Sequence, residues 1–122
     1  MPRPGRFFRW AEFVEASSRR LTDRDRRAIE TLCRLYLDPM RERFGRCTVH
    51  SASRALWHNR RVGGAERSYH LYNLRPGHAA ADVSFERGSP SEWAEAAREL
   101  GAGWTGEYPS HVHVDTRSVR AS

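Results

Sequence analysis

Between Asp23 and Gly45 the apolar residues Ile29, Leu32, Cys33, Tyr36, Leu37, Met40 and Phe44 recur at steps of three and four. That period places them on one stripe of a helix, and a stripe of this length has to be covered by the rest of the chain. Thr22 or Asp23 supplies the start and Gly45 the stop. Pro39 falls inside the pattern and removes one backbone donor, so the spacing predicts a kink near Leu35 to Asp38 or a break into two helices.

What covers the stripe is legible in outline. Phe7 to Ala16 carries Phe7, Phe8, Trp10, Phe13 and Val14, which suits a short amphipathic helix, and residues 1–20 are expected to form an N-terminal helical arm. Cys47 to Ser51 reads as a strand, Ala52 to Arg61 as a helical stretch stopped by Gly63 and Gly64, and Ala79 to Phe85 as a second strand. Ser89, Pro90 and Glu92 together mark a helix start, with the helix running to about Leu100. Trp104 to Tyr108 and His111 to Asp115 are the last strands. Helices first and strands around one further helix argue an α+β fold, N-terminal helices packed on a small antiparallel β-sheet.

The 122 residues, 39% of them hydrophobic, suffice for one core and no second, so the expectation is a single domain over 1–122. Cys33 and Cys47 lack the spacing of a redox pair and read as buried thiols. The net charge is +6, and all 21 cationic residues are Arg. Such a surface favours anionic partners, among them nucleic acid, acidic lipid and cell-wall polymer. The arginines are scattered and no basic motif interleaved with aromatics is present, which argues against nucleic acid. No apolar run approaches the roughly 18 to 20 residues of a membrane span, and Met1 to Arg6 lacks a secretory signal. The expectation is a protein without a span or signal, made in the cytoplasm, its oligomeric state open.

Chemistry gathers in the second half. Of six histidines, four lie there beside carboxylates: His70 and His78 ahead of Asp82, then His111 and His113 ahead of Asp115. In a strand His111, His113 and Asp115 share one face and Val112 and Val114 the other. Asp82 sits in the apolar run Ala79 to Phe85, where an isolated carboxylate needs a compensating cation or hydrogen bonds. Two histidines and a carboxylate are a catalytic zinc set when a nearby base takes the proton of water, and Glu107 precedes both histidines of the last strand. An Arg partner for Asp82 and a metal-free His-X-His strand are the alternative reading.

In order along the chain, Ser51-Ala-Ser-Arg54, His58-Asn59, Val62-Gly-Gly-Ala65, Ser68-Tyr-His70, Ala80-Ala-Asp82 and Val112-His-Val-Asp115 resemble the D-Ala-D-Ala metallopeptidases, zinc peptidases of bacterial cell walls and phage lysis systems. The resemblance spans about Leu37 to Arg117. It implies zinc held by His70, Asp82 and His113, with Arg54 binding a substrate carboxylate or carbonyl through its planar fork. It also implies hydrolysis of a peptide bond in peptidoglycan stem peptides, of carboxypeptidase or endopeptidase type, in a phage or prophage lysis setting.

Two departures stand out. His70 and Asp82 are further apart than in the commoner form of the family, so the intervening residues must loop out, and His78 competes for the first-ligand place. Many relatives carry the catalytic acid three residues before the last histidine, where this chain has Ser110. The related hedgehog signalling domain and some peptidases look similar to Glu107-Tyr-Pro-Ser-His-Val-His113 instead. By that resemblance Glu107 is the base, His111 its partner in polarising the carbonyl, and Asp115 a group that orients a ligand. The alternative is a catalytically inactive module that binds metal or cell wall.

Overall fold

The computed structural model describes residues 2–17, 20–52 and 77–119. Helix α1 covers Trp10–Ala16 and α2 covers Asp23–Leu32. A π-helical turn, Cys33–Leu37, joins α2 without a break to α3, Asp38–Phe44. Strands β1 (Cys47–Ala52) and β2 (Ala80–Phe85) are followed by α4 (Pro90–Glu99), β3 (Thr105–Glu107) and β4 (Val112–Asp115). The α+β class and the helices packed on a small antiparallel sheet are as the sequence predicts.

Thr22 caps α2: its Oγ1 accepts from the Asp25 N–H at 3.1 Å, while the Asp25 carboxylate accepts from the Thr22 N–H at 2.8 Å. Reciprocal bonds of this kind satisfy two helix-end donors, so Thr22→Ala is expected to lower stability by about 1 kcal/mol, read from urea unfolding. The strain from Pro39 is absorbed one turn earlier. The Asp38 N–H reaches back five residues to the Cys33 carbonyl, widening the ladder where the proline ring would otherwise press on it. Neither a sharp break nor two separate helices results. Gly45 ends α3 at φ 83°, a left-handed conformation that side chains resist. Ser89 and Pro90 begin α4 as expected.

The sheet runs in the order β1-β2-β4-β3, all pairs antiparallel. One face is apolar: Ala81, Val83 and Phe85 of β2 and Val112 and Val114 of β4 join Ile29, Leu32, Tyr36, Leu37 and Met40 in one core. Phe85 sits between Phe44, with ring centroids 5.8 Å apart, and Trp93 of α4, at 5.4 Å edge-on. Phe13 of α1 is buried against Phe8, and the Asp38 carboxylate accepts from the Arg6 N–H at 2.8 Å, which fastens the N-terminal arm to the long helix. Cys33 and Cys47 are free, buried thiols, and burial pushes both pKa values up, so they stay protonated. No described helix is long and apolar enough to cross a membrane.

One boundary differs from expectation. Ala52 is the last residue of β1, paired with Ala81, and so does not begin a helix. The rest of the helical stretch expected over Ala52 to Arg61, and Gly63 and Gly64, lie outside the described residues.

Candidate metal centre

Asp82 and His113 are direct partners on the two central strands. Opposed residues of an antiparallel pair project to the same side, and neighbours along a strand alternate. Both side chains therefore lie on the face opposite Val83, Val112 and Val114, as the alternation of His113 and Asp115 with the two valines predicts. His113 Nδ1 is 3.1 Å from Asp82 Oδ1, and its Nε2 is 2.7 Å from Asp115 Oδ2. Ser51 Oγ donates to the other oxygen of Asp82 at 2.8 Å. Arg117 closes the chain: its backbone N–H donates to Asp115 Oδ1 at 3.0 Å and its Nη2 to Oδ2 at 2.8 Å. His113 and Asp115 are both fully buried.

Ser51 reaches Asp82 because β1 carries a bulge. Val49 opposes Val83 and Ser51 opposes Asp82, with His50 as the extra residue between them. Without the bulge Val49 and Ser51 would share a face. With it, Val49 packs against the core while Ser51 and His50 serve the other side, where His50 Nε2 meets Ser84 Oγ at 2.7 Å.

Gly106 opposes His113 from β3. A Cβ there would come within 2.7 Å of Trp104, 3.0 Å of Tyr108 and 3.1 Å of the His113 Cβ, so the bare backbone is what lets three side chains close around it. Trp104 packs edge-on against His113, ring centroids 5.1 Å apart, and the Arg117 guanidinium lies 4.9 Å above the Trp104 ring. His111 stacks on Tyr108 at 4.6 Å and stands 6.1 Å from His50.

The electrostatics of this group are tightly coupled. Burial opposes a charge on His113, but its hydrogen bonds to Asp115 and Asp82 outweigh it and raise its pKa above the ordinary histidine value. Burial likewise pushes Asp115 upward, yet its bonds with His113 and Arg117 win and hold it below the ordinary carboxylate range. Arg117→Ala is expected to cost about 1.5–3 kcal/mol, the scale of hydrogen bonds to a charged group, measurable as a lowered urea midpoint.

These residues fit a divalent metal. If the Nε2 hydrogen of a neutral His113 goes to Asp115, Nδ1 turns a lone pair toward the Asp82 carboxylate, and two electron-rich atoms at 3.1 Å need a cation between them. Asp82, Asp115 and Arg117 with neutral His113 also sum to one negative charge. A proton brings that sum to zero, and a divalent metal brings it to plus one. Two zinc bonds of about 2.0–2.2 Å at a tetrahedral angle span roughly 3.3–3.5 Å between donors, close to the separation of this pair. The Asp115–His113 bond is of the kind by which a carboxylate orients a metal-bound imidazole in metalloproteins. Among the described residues no cluster of three or more His, Cys, Asp or Glu side chains is placed to hold a metal. His70, the remaining ligand that the resemblance implies, and Arg54 lie outside the described residues.

The other expected site residues are placed as follows. His78 Nδ1 is 3.0 Å from Thr116 Oγ1, at the end of β2 that precedes Ala80. His111 precedes β4 by one residue. Glu107 opposes Val112, whose side chain is in the core, so the Glu107 side chain leaves β3 on the face opposite the His113 imidazole, and it is exposed. The strand pairing thus does not bring Glu107 to the Asp82–His113 pair. The acid's separation from His113 along the chain carried no information about which side of β3 it would leave. Arg117, Ser51 and Trp104 are the contributors that sequence reasoning left without a place in this group. Arg117 continues the alternation of His113 and Asp115, a signal that points to it; the β1 bulge that turns Ser51 inward left none.

Residues 7–115 match the family model described as Peptidase M15. The chain belongs to the M15 peptidase family. Asp82, His113 and Asp115 all fall within the matched span, as do His70 and Arg54. No curated protein and no solved structure matches the chain. The family is one of zinc D-Ala-D-Ala peptidases, which supports the general reaction class, peptide hydrolysis with a metal.

Proposed function

We propose that this M15 chain is a zinc peptidase that hydrolyses a peptide bond in peptidoglycan stem peptides. The observation that carries the reading is the buried pair of His113 Nδ1 and Asp82 Oδ1, 3.1 Å apart, with Asp115 fixing the far side of the imidazole. His113, Asp82 and His70 would hold the metal. When bound, zinc supplies a Lewis acid that makes water a nucleophile near neutral pH.

The chain's own groups do the rest. Asp115, held by Arg117, keeps the His113 Nε2 hydrogen in place and so keeps Nδ1 available to the metal. Ser51 orients Asp82 through its second oxygen. Arg54 anchors the substrate's carboxylate or carbonyl. Proton handling is assigned to His111, which precedes His113 by two residues and shares its side of the sheet. Glu107, the base that the resemblance implies, competes for this role from the other side. The basic surface raises the encounter rate with an anionic wall polymer. Delivery in a phage or prophage lysis system belongs to the same reading, as does action at the wall of a protein made in the cytoplasm.

A second reading, a metal-binding or wall-binding module without turnover, has the placement of Glu107 and the serine at position 110 in its favour. One experiment separates them. The protein is stripped with a chelator, offered zinc, and assayed by elemental mass spectrometry and by chromatography of a synthetic stem pentapeptide ending in D-Ala-D-Ala. About one zinc per chain and a shortened peptide are expected. Zinc without cleavage leaves the module; absence of zinc overturns the peptidase and leaves a wall-binding module that holds no metal.

A further inference from the structure

The outer edge of β1 is laid out to accept another strand. Glu86 N–H donates to the Arg46 carbonyl at 2.8 Å, which fixes the phase of the β1–β2 ladder. Bonded and non-bonded pairs alternate, so Thr48 exchanges its bonds with Ser84 while the N–H and C=O groups of Cys47 and Val49 point away from β2. β1 is the end strand of the sheet, and among the described residues its outer side is paired by the Ser17–Ala52 bridge alone, beyond the Cys47–Val49 stretch. A row of outward backbone groups on an end strand is a template for an added chain.

Beside that edge runs a groove of about 320 Å³ between α1 and β1, lined by Glu12, Glu15, Ala16, Cys47, Val49 and His50. In a chain of net charge +6 its titratable lining is two glutamates, one histidine and the Cys47 thiol, which burial keeps protonated. One Glu12 oxygen accepts from the Arg9 N–H at 2.7 Å, which holds that carboxylate at the start of α1. His50 belongs both to the groove and, through Ser84, to the polar face of the sheet, so the groove is continuous with the face that carries Asp82 and His113.

We propose that an extended peptide bearing a side-chain amine adds to the outer edge of β1, its backbone bonding to Cys47 and Val49 and its amine lying between Glu12 and Glu15. This is strand addition, with main-chain bonds supplying affinity and the acidic pair supplying selectivity. The inference rests on the peptidase reading, since the bound peptide is the flank of the substrate. It names the class: a peptide that carries a side-chain amine on the flank beside the bond cut.

The test uses the full chain labelled with ¹⁵N, titrated with two synthetic pentapeptides ending in D-Ala-D-Ala that differ only in a free or an acetylated lysine side chain. Expected are shifts and added hydrogen-exchange protection at the Cys47 and Val49 amides. The free-amine peptide should bind more tightly, and Glu15→Gln should remove about twofold to fivefold of that preference. Glu15 is exposed, so neither Glu15→Gln nor Glu15→Lys threatens the fold. Peptide binding or cleavage with no response at Cys47 and Val49, or with no effect of Glu15→Lys, overturns the strand-addition proposal and leaves the peptidase standing. Edge binding with the expected charge dependence but no cleavage sustains the proposal and sinks the peptidase. Self-association of the free chain through this edge, seen by light scattering, also overturns it.

Discussion

His113→Ala is expected to abolish zinc binding and stem-peptide cleavage together, and to unfold the metal-free protein about 3–5 kcal/mol more easily. The size follows from what the imidazole separates. Asp115 is fully buried and Asp82 nearly so, and His113 touches one carboxylate with each ring nitrogen. Its removal leaves two buried carboxylates without their shared partner, the circumstance in which breaking a buried pair costs most. Titration against a chelating dye gives the metal affinity and urea unfolding of the stripped protein gives the stability. A variant that still takes up one zinc with unchanged affinity would remove His113 from the metal set.

The second large effect distinguishes two candidates for moving the proton. His111→Ala is expected to lower kcat by about 10²- to 10⁴-fold, the range for loss of a general acid or base, with zinc content unchanged. Glu107→Gln is expected to change kcat by less than about threefold, because its side chain leaves β3 on the side of Val112. Steady-state rates with equal metal loading decide between them. Should Glu107→Gln remove turnover while His111→Ala does not, the base that the resemblance implies is the correct one and the residue on the polar face is not.

The fold was largely legible because its strongest signals are local. The stripe from Ile29 to Phe44, the cap at Thr22, the stop at Gly45 and the Ser89-Pro90 start each act within a turn of their own position. Pro39 announced a disturbance, but whether a helix kinks, breaks or widens depends on the arm that packs beside it, including the bonds from Arg6 and Phe7 to Asp38. The site was legible where alternation sets the face, as for His113 and Asp115. It was not legible where pairing register or an extra residue sets it. Glu107 and Ser51 are the two cases: one is carried to the far side by the β3–β4 register, the other brought in by the bulge at His50.

The strand order has a kinetic meaning. β2 and β4 lie side by side at the centre of the sheet, yet α4 and β3 come between them in the chain. Their pairing is a distant closure, which forms slowly compared with helices. The Asp82–His113 pair therefore does not exist in any partly folded species that lacks this closure. If the proposed site takes zinc, its uptake during refolding is expected to lag behind helical circular dichroism and so to time this closure. A chain stalled before that step would be helical and would lack the Asp82–His113 pair on which the proposed activity depends.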